Sequence, residues 1–302
     1  MGAPTGQAKE EMSVMSVVAT WAAKQAANER SERTSYVNLN LTFLAVGVLC
    51  AIYIGLRMYQ QAYGLSAGLD VTAPEFDRYW LTLLKIELPV ILVSSFSAWT
   101  WLWLTRDRKL AQLKPREELR RHFNFVLWAV VYTFTFYWTG SFFTEQDAVW
   151  HQTVIRDTSF TPSHIVLFYA CIPIYMFFGV GGFLYAMTRI PQFARGVSIP
   201  LVLAVLGPAL ILPNLGYNEW GHAYWLTEEV FSHPLHWGFV VLGWNALSFG
   251  GVLMQVAMRM IELFREIQSE RRSADRRSLQ VVIAFPDRRA HERRGVALPL
   301  AA

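Results

Sequence analysis

"DAVWHQTVIRDTSFTPSHIVLFYACIPIYMFFGVGGFLYAM", residues 147–187, changes character half-way along. Its first part holds two aspartates, an arginine and two histidines, whereas Ile165 to Met187 contains no charged residue. The uncharged run exceeds the roughly 20 residues that a helix needs to cross the hydrocarbon core of a bilayer. A membrane span therefore begins at His164 or just after it. The polar segment before it is either a solvated connector or a site.

The rest of the chain repeats the apolar half of this pattern. Of 302 residues, 53% are apolar and only 17% charged, against about a quarter charged in a soluble domain. Mean hydropathy is +0.25. Further apolar segments lie near Leu39–Met58, Leu81–Leu104, Phe123–Phe143, Val197–Pro213 and Leu235–Phe264. The expected fold class is all-α, a polytopic integral membrane helical bundle of about six transmembrane helices. An N-terminal amphipathic helix over Met12–Asn28 precedes it, of the kind that lies along a membrane surface or packs on a partner. The expected domains are the cytoplasmic N-terminal segment 1–36, the transmembrane domain 37–264 and a basic cytoplasmic tail 265–302.

Charge placement gives the orientation. The segment after the second span holds seven Lys or Arg between Arg106 and Arg121, and the one after the fourth holds Arg189 and Arg195. The three alternating loops hold Arg78, Arg156 and no basic residue at all. Positive loops stay in the cytoplasm, so both termini are expected there, with the 147–164 segment outside. The net charge of +4 comes from residues flanking apolar spans and implies no nucleic acid. The Arg-rich tail reads as a disordered segment that leans on anionic lipid. Cys50 and Cys171, the only cysteines, both sit in apolar runs, which excludes a disulfide framework, a thiolate zinc site and a CxxCH haem attachment. The first strong apolar run starts near Val37, so no cleavable signal peptide is expected.

Five of the seven histidines fall in or beside two of the outer loops. Asp147 and His151 are four residues apart and share a helix face. His164 follows Thr161-Pro162-Ser163, a helix-start signal that places it in the first turn of the next span. The second loop has the same arrangement, with Asn218 and His222 in "NEWGH" and His236 just after Pro234. Each set combines an oxygen ligand, a histidine one turn on, and a histidine from the opening turn of the following span. Taken singly, each side chain is more often an interfacial hydrogen-bonding group. Repeated at one membrane depth, the pattern points to metal ligation, because ionisable groups in a membrane are costly unless paired or metal-bound. Bis-histidine haem ligation fails on geometry. His151 and His164 are 13 residues apart, which turns the second roughly 140° off the first face, and Pro162 and Pro234 interrupt any continuous helix. Ligand type leaves iron, zinc and copper open for the first set, while a neutral His2Asn set leans towards copper.

The stretches "SFFTEQDAVWHQTVIRDTSFTPSHIV" (141–166), "FLYAMTRIP" (183–191), "GPALILPNLGYNEWGH" (207–222) and "PLHWGFVVLGW" (234–244) closely resemble the C subunits of the copper-dependent particulate methane, ammonia and hydrocarbon monooxygenase family. The resemblance covers roughly residues 35 to 262. It implies that Asp147, His151 and His164 form one copper site and that Asn218, His222 and His236 form a second. It implies an enzyme that inserts one atom of O2 into a small apolar substrate and is active only as an assembly of several subunits. The implied partners are a cupredoxin-bearing subunit and a second membrane subunit, in a trimer of heterotrimers. Three features depart from the family's wording: the extra His233, the long Arg-rich tail, and Leu167 where methane and ammonia oxidisers tend to have an acidic residue. These tilt the expected substrate towards a short-chain alkane. Trp150, Trp220, Phe143 and Trp225 are candidates for a dry aromatic wall. Arg156, Asp157, Glu145, Glu219, Glu228 and Glu229 are candidates to orient the ligating histidines. Lys85 and Glu87 read as snorkelling side chains, with a proton path as the sharper alternative. Two other functional classes compete with the enzyme: a metal or small-molecule transporter, and a structural subunit with stabilising metals. A transporter would place its ligands near the midplane on broken helices, whereas both sets here lie at span ends on one side.

Overall fold

The structure, a computed structural model, describes residues 39–150, 158–206 and 250–293, together with Thr20 and Thr153. Among these the regular elements are all helical. We number them α1 (Leu39–Ala67), α2 (Pro74–Leu104), α3 (Pro115–Tyr137), α4 (Thr144–Trp150), α5 (Pro162–Arg189), α6 (Ile199–Leu206) and α7 (Gly250–Arg293).

Among the described residues three helices, α1, α2 and α5, are long and apolar enough to cross a membrane. They correspond to the first, second and fourth of the expected spans. The segment expected as the third span falls on α3 and the π-helical stretch Trp138–Phe143 that joins it to α4. Tryptophan, tyrosine and threonine there dilute its hydropathy. The fifth is described only as the short α6, and much of the sixth lies outside the described residues, as does the Met12–Asn28 helix apart from Thr20.

Burial ranks the spans. Half of the apolar window of α5 is buried within the chain, against 11% for α1 and 6% for α2, so α5 is the central helix. It packs on α2, α3 and α6, and α3 reaches it by laying Trp128 and Tyr132 on its glycine face around Gly179 and Gly182. Small residues permit this close approach where hydrophobic association gives little drive. Tyr132 donates to the Ala204 carbonyl at 2.6 Å, and its hydroxyl lies 2.9 Å from that of Tyr175.

Among the described residues three π-helical turns, at Asp77–Leu81, Trp138–Phe143 and Ile165–Cys171, interrupt the helices. Such turns recur at functional sites because they re-aim side chains within a helix. Threonines satisfy the loosened backbone between α3 and α4. Thr144 Oγ1 donates to the Thr139 carbonyl at 2.7 Å, and the Thr139 hydroxyl lies 2.8 Å and 3.2 Å from the carbonyls of Thr135 and Cys171. All three turns contribute to one buried cluster that includes Tyr53, Trp80, Phe143, Ile165, Leu167 and Tyr175.

The opposite, Arg-rich end is tied by ion pairs. Arg121 contacts Asp107 at 2.8 Å and Glu117 at 3.1 Å, and donates to the Arg189 carbonyl at 2.9 Å. Glu118 of α3 holds Arg259 of α7 through two bonds of 2.8 Å and 3.1 Å. The tail expected to be disordered beyond Phe264 instead continues α7 to Arg293. At its start Leu263 and Ile267 bury themselves against Leu119 of α3, and that apolar contact carries the helix past the end of the span.

Candidate metal centre

The hairpin between α4 and α5 brings two of the expected ligands together. Asp147, on the last turns of α4, is buried at 3% exposure. Thr161 is extended and Pro162 opens α5, as the Thr-Pro signal predicts, so His164 projects from the first turn. Its Nε2 lies 3.5 Å from Asp147 Oδ1. Two donor bonds of roughly 2.0–2.2 Å meeting at a tetrahedral angle put their donor atoms about 3.4 Å apart. The spacing fits two ligands of one ion.

The other imidazole nitrogen fixes the ring. His164 Nδ1 lies 3.1 Å from the Thr158 carbonyl oxygen. A carbonyl only accepts, so Nδ1 is the donor there, and Nε2 is the nitrogen that faces Asp147. Metal-bound histidines are oriented in this way. Phe168 meets the ring edge-on at a centroid distance of 5.0 Å.

The hairpin is braced from behind. Trp150 donates its indole N–H to Thr161 Oγ1 at 2.7 Å, which joins the end of α4 to the residue before α5. Two glycines let α1 close on this joint. A Cβ on Gly64 would lie 3.1 Å from the Trp150 ring, and one on Gly68 would lie 2.5 Å from Pro162 Cγ.

Of the expected first set, the structure thus joins Asp147 and His164, while His151 lies outside the described residues. Asn218, His222 and His236 lie outside them too, as do His233, Trp220, Trp225, Arg156, Asp157, Glu219, Glu228 and Glu229. Among the described residues no group of three His, Cys, Asp or Glu side chains gathers; the third member expected from the sequence, His151, lies outside them. Of the expected wall residues, Phe143 and Trp150 are buried. His122, by contrast, is a buried structural histidine held by the Glu118 carbonyl and Gln192. Lys85 pairs with Asp77 at 3.2 Å on the surface, and Glu87 lies in a separate apolar groove. The bracing contacts of Thr158 and Thr161 escaped the sequence reading. Only the density of threonine before Pro162 hinted at them.

A protein-family model, that of the C subunit of ammonia monooxygenase/methane monooxygenase, matches residues 21–267. The chain belongs to that family. As a C subunit it is part of an ammonia/methane monooxygenase complex, and its three membrane-length helices accord with a place in the membrane. The match takes in both candidate ligand sets and stops within α7. Among curated proteins none matches the chain.

Proposed function

We propose that this C subunit supplies copper sites within the membrane to a monooxygenase that inserts one atom of O2 into a small apolar substrate. The observation that carries this reading is the Asp147–His164 pair, with Nε2 at 3.5 Å from the carboxylate and Nδ1 engaged elsewhere. His151 completes that set, and Asn218, His222 and His236 form the second. Copper bound there supplies oxygen activation. Asp147 and His164 hold it, the Thr158 carbonyl keeps the imidazole in the ligating tautomer, and Trp150, Phe143 and Phe168 keep water from the site.

The sites face the extracytoplasmic side, since the Arg-rich ends face the cytoplasm. The complex also contains a cupredoxin-bearing subunit and a second membrane subunit, arranged as a trimer of heterotrimers. Leu167, one turn below His164, is fully buried in the core. An apolar residue there supports a short-chain alkane as substrate ahead of methane or ammonia.

The test replaces His164 and His222 separately by alanine in the full complex and measures copper content and oxidation of methane, ethane, butane and ammonia. Loss of both copper and turnover is expected. Unchanged copper in both variants would falsify the ligand assignment, and loss of copper with full turnover would make the metals structural.

A further inference from the structure

A second feature of the membrane domain lies apart from the ligand sets. Between α1, α2 and α5 runs a groove of about 390 Å³, walled by Leu49, Ile52, Val90, Ile174 and Phe177, among others. Glu87 lies in this wall. Both of its carboxyl oxygens are shielded from solvent by the chain and have no hydrogen-bond donor among the described residues. The nearby Lys85 is engaged by Asp77, and Ser94 donates along its own helix to the Val90 carbonyl at 2.6 Å.

A carboxyl group in such surroundings costs several kcal/mol unless a donor reaches it. Lipid tails have none to offer. Two of the helices that frame the groove, α1 and α2, are also the least covered of the membrane-length helices among the described residues, with 11% and 6% of their apolar windows buried. Val90 and Val93 are 60% and 66% exposed. A chain that works within a larger complex and keeps an acid between two uncovered spans is complementary to a helix carrying a donor.

We propose that this groove seats a transmembrane helix of a partner subunit, and that an amide or cationic side chain of that helix bonds Glu87. The interface rests on membership of the complex and not on the copper assignment.

Benzoylphenylalanine introduced in place of Val90 in the assembled complex should crosslink on irradiation to a partner membrane subunit. Glu87→Leu in that background should reduce the crosslink and the co-purifying partner by about tenfold or more, the usual effect of losing a hydrogen bond to a charged or strongly polar group. Glu87→Gln, which keeps an acceptor, should retain most of both and shows that the site still folds. Capture of lipid or of a small lipophile alone from position 90 would overturn the proposal. So would partner retention unchanged in Glu87→Leu. Copper bound per C subunit should be unchanged in either outcome, which separates this test from that of the metal sites.

Discussion

Trp150 and Thr161 are joined by a 2.7 Å hydrogen bond between the indole N–H and Oγ1, and both side chains are buried. The bond closes the hairpin on which Asp147 and His164 face each other. Trp150→Phe keeps an aromatic ring and removes the donor. It should lower stability by about 1–3 kcal/mol, because the Thr161 hydroxyl is left buried with its acceptor unused. A lower unfolding temperature with weakened copper retention is the expected outcome, measured by thermal melts and metal analysis of the complex.

Gly68 tests whether α1 positions the start of α5. A Cβ there meets Pro162 Cγ at 2.5 Å and the Trp80 indole nitrogen at 3.0 Å, and a proline ring has little room to yield. Gly68→Ala should cost about 1–3 kcal/mol through overpacking. Displacement of Pro162 carries His164 with it, so copper content should fall more than in Gly47→Ala, where a Cβ meets nothing within 4 Å. Equal copper in the two variants would rule out a positioning role for this contact.

The Glu118–Arg259 pair fastens α7 to α3. The Glu118 side chain is 6% exposed and Arg259 27%, and Arg259 also contacts the exposed Glu262 and Glu266. The two ends of the bridge are therefore unequal. Arg259→Leu strands a buried carboxylate and should destabilise by about 3–5 kcal/mol. Glu118→Leu leaves an arginine that still has two partners, so it should cost less. Limited proteolysis of α7 in the two variants reads the difference directly.

Asp107, beyond the end of α2, gives a pH dependence. The Lys109 backbone N–H donates to it at 2.8 Å and the Arg121 guanidinium lies at 2.8 Å. In that order these hold its carboxyl below the usual aspartate range. A depressed carboxyl contributes stability that is fully present above its unfolded value and is lost as pH falls through its folded value. Asp107→Asn should therefore melt at a lower temperature than the parent at neutral pH, with the gap narrowing as pH drops below about 4. A gap that stays constant down to about pH 3 contradicts this.

Hydropathy alone located the membrane helices α1, α2 and α5, because a bilayer demands long uncharged runs and little else satisfies it. It decides less for α3, whose Trp, Tyr and Thr serve packing and the π-helical turn and lower the signal on which a count of spans depends. The repeated Asp/Asn–His–Pro–His spacing marked the candidate ligands, since i, i+4 pairs and Pro-initiated helices are local features that a linear reading contains. For Asp147 and His164, separated by 17 residues of chain, it offered company without contact. The 3.5 Å approach depends on Thr158, on the Trp150–Thr161 bond, and on Gly64 of α1 and Gly68 just after it. The glycine contacts, Gly64 with Trp150 and Gly68 with Pro162, join residues far apart in sequence, where no periodicity records the distance. Glu87 makes the same point from the other side. Between apolar neighbours in the sequence it reads as a snorkelling acid, and only the packing of α1 and α5 around it closes off the water.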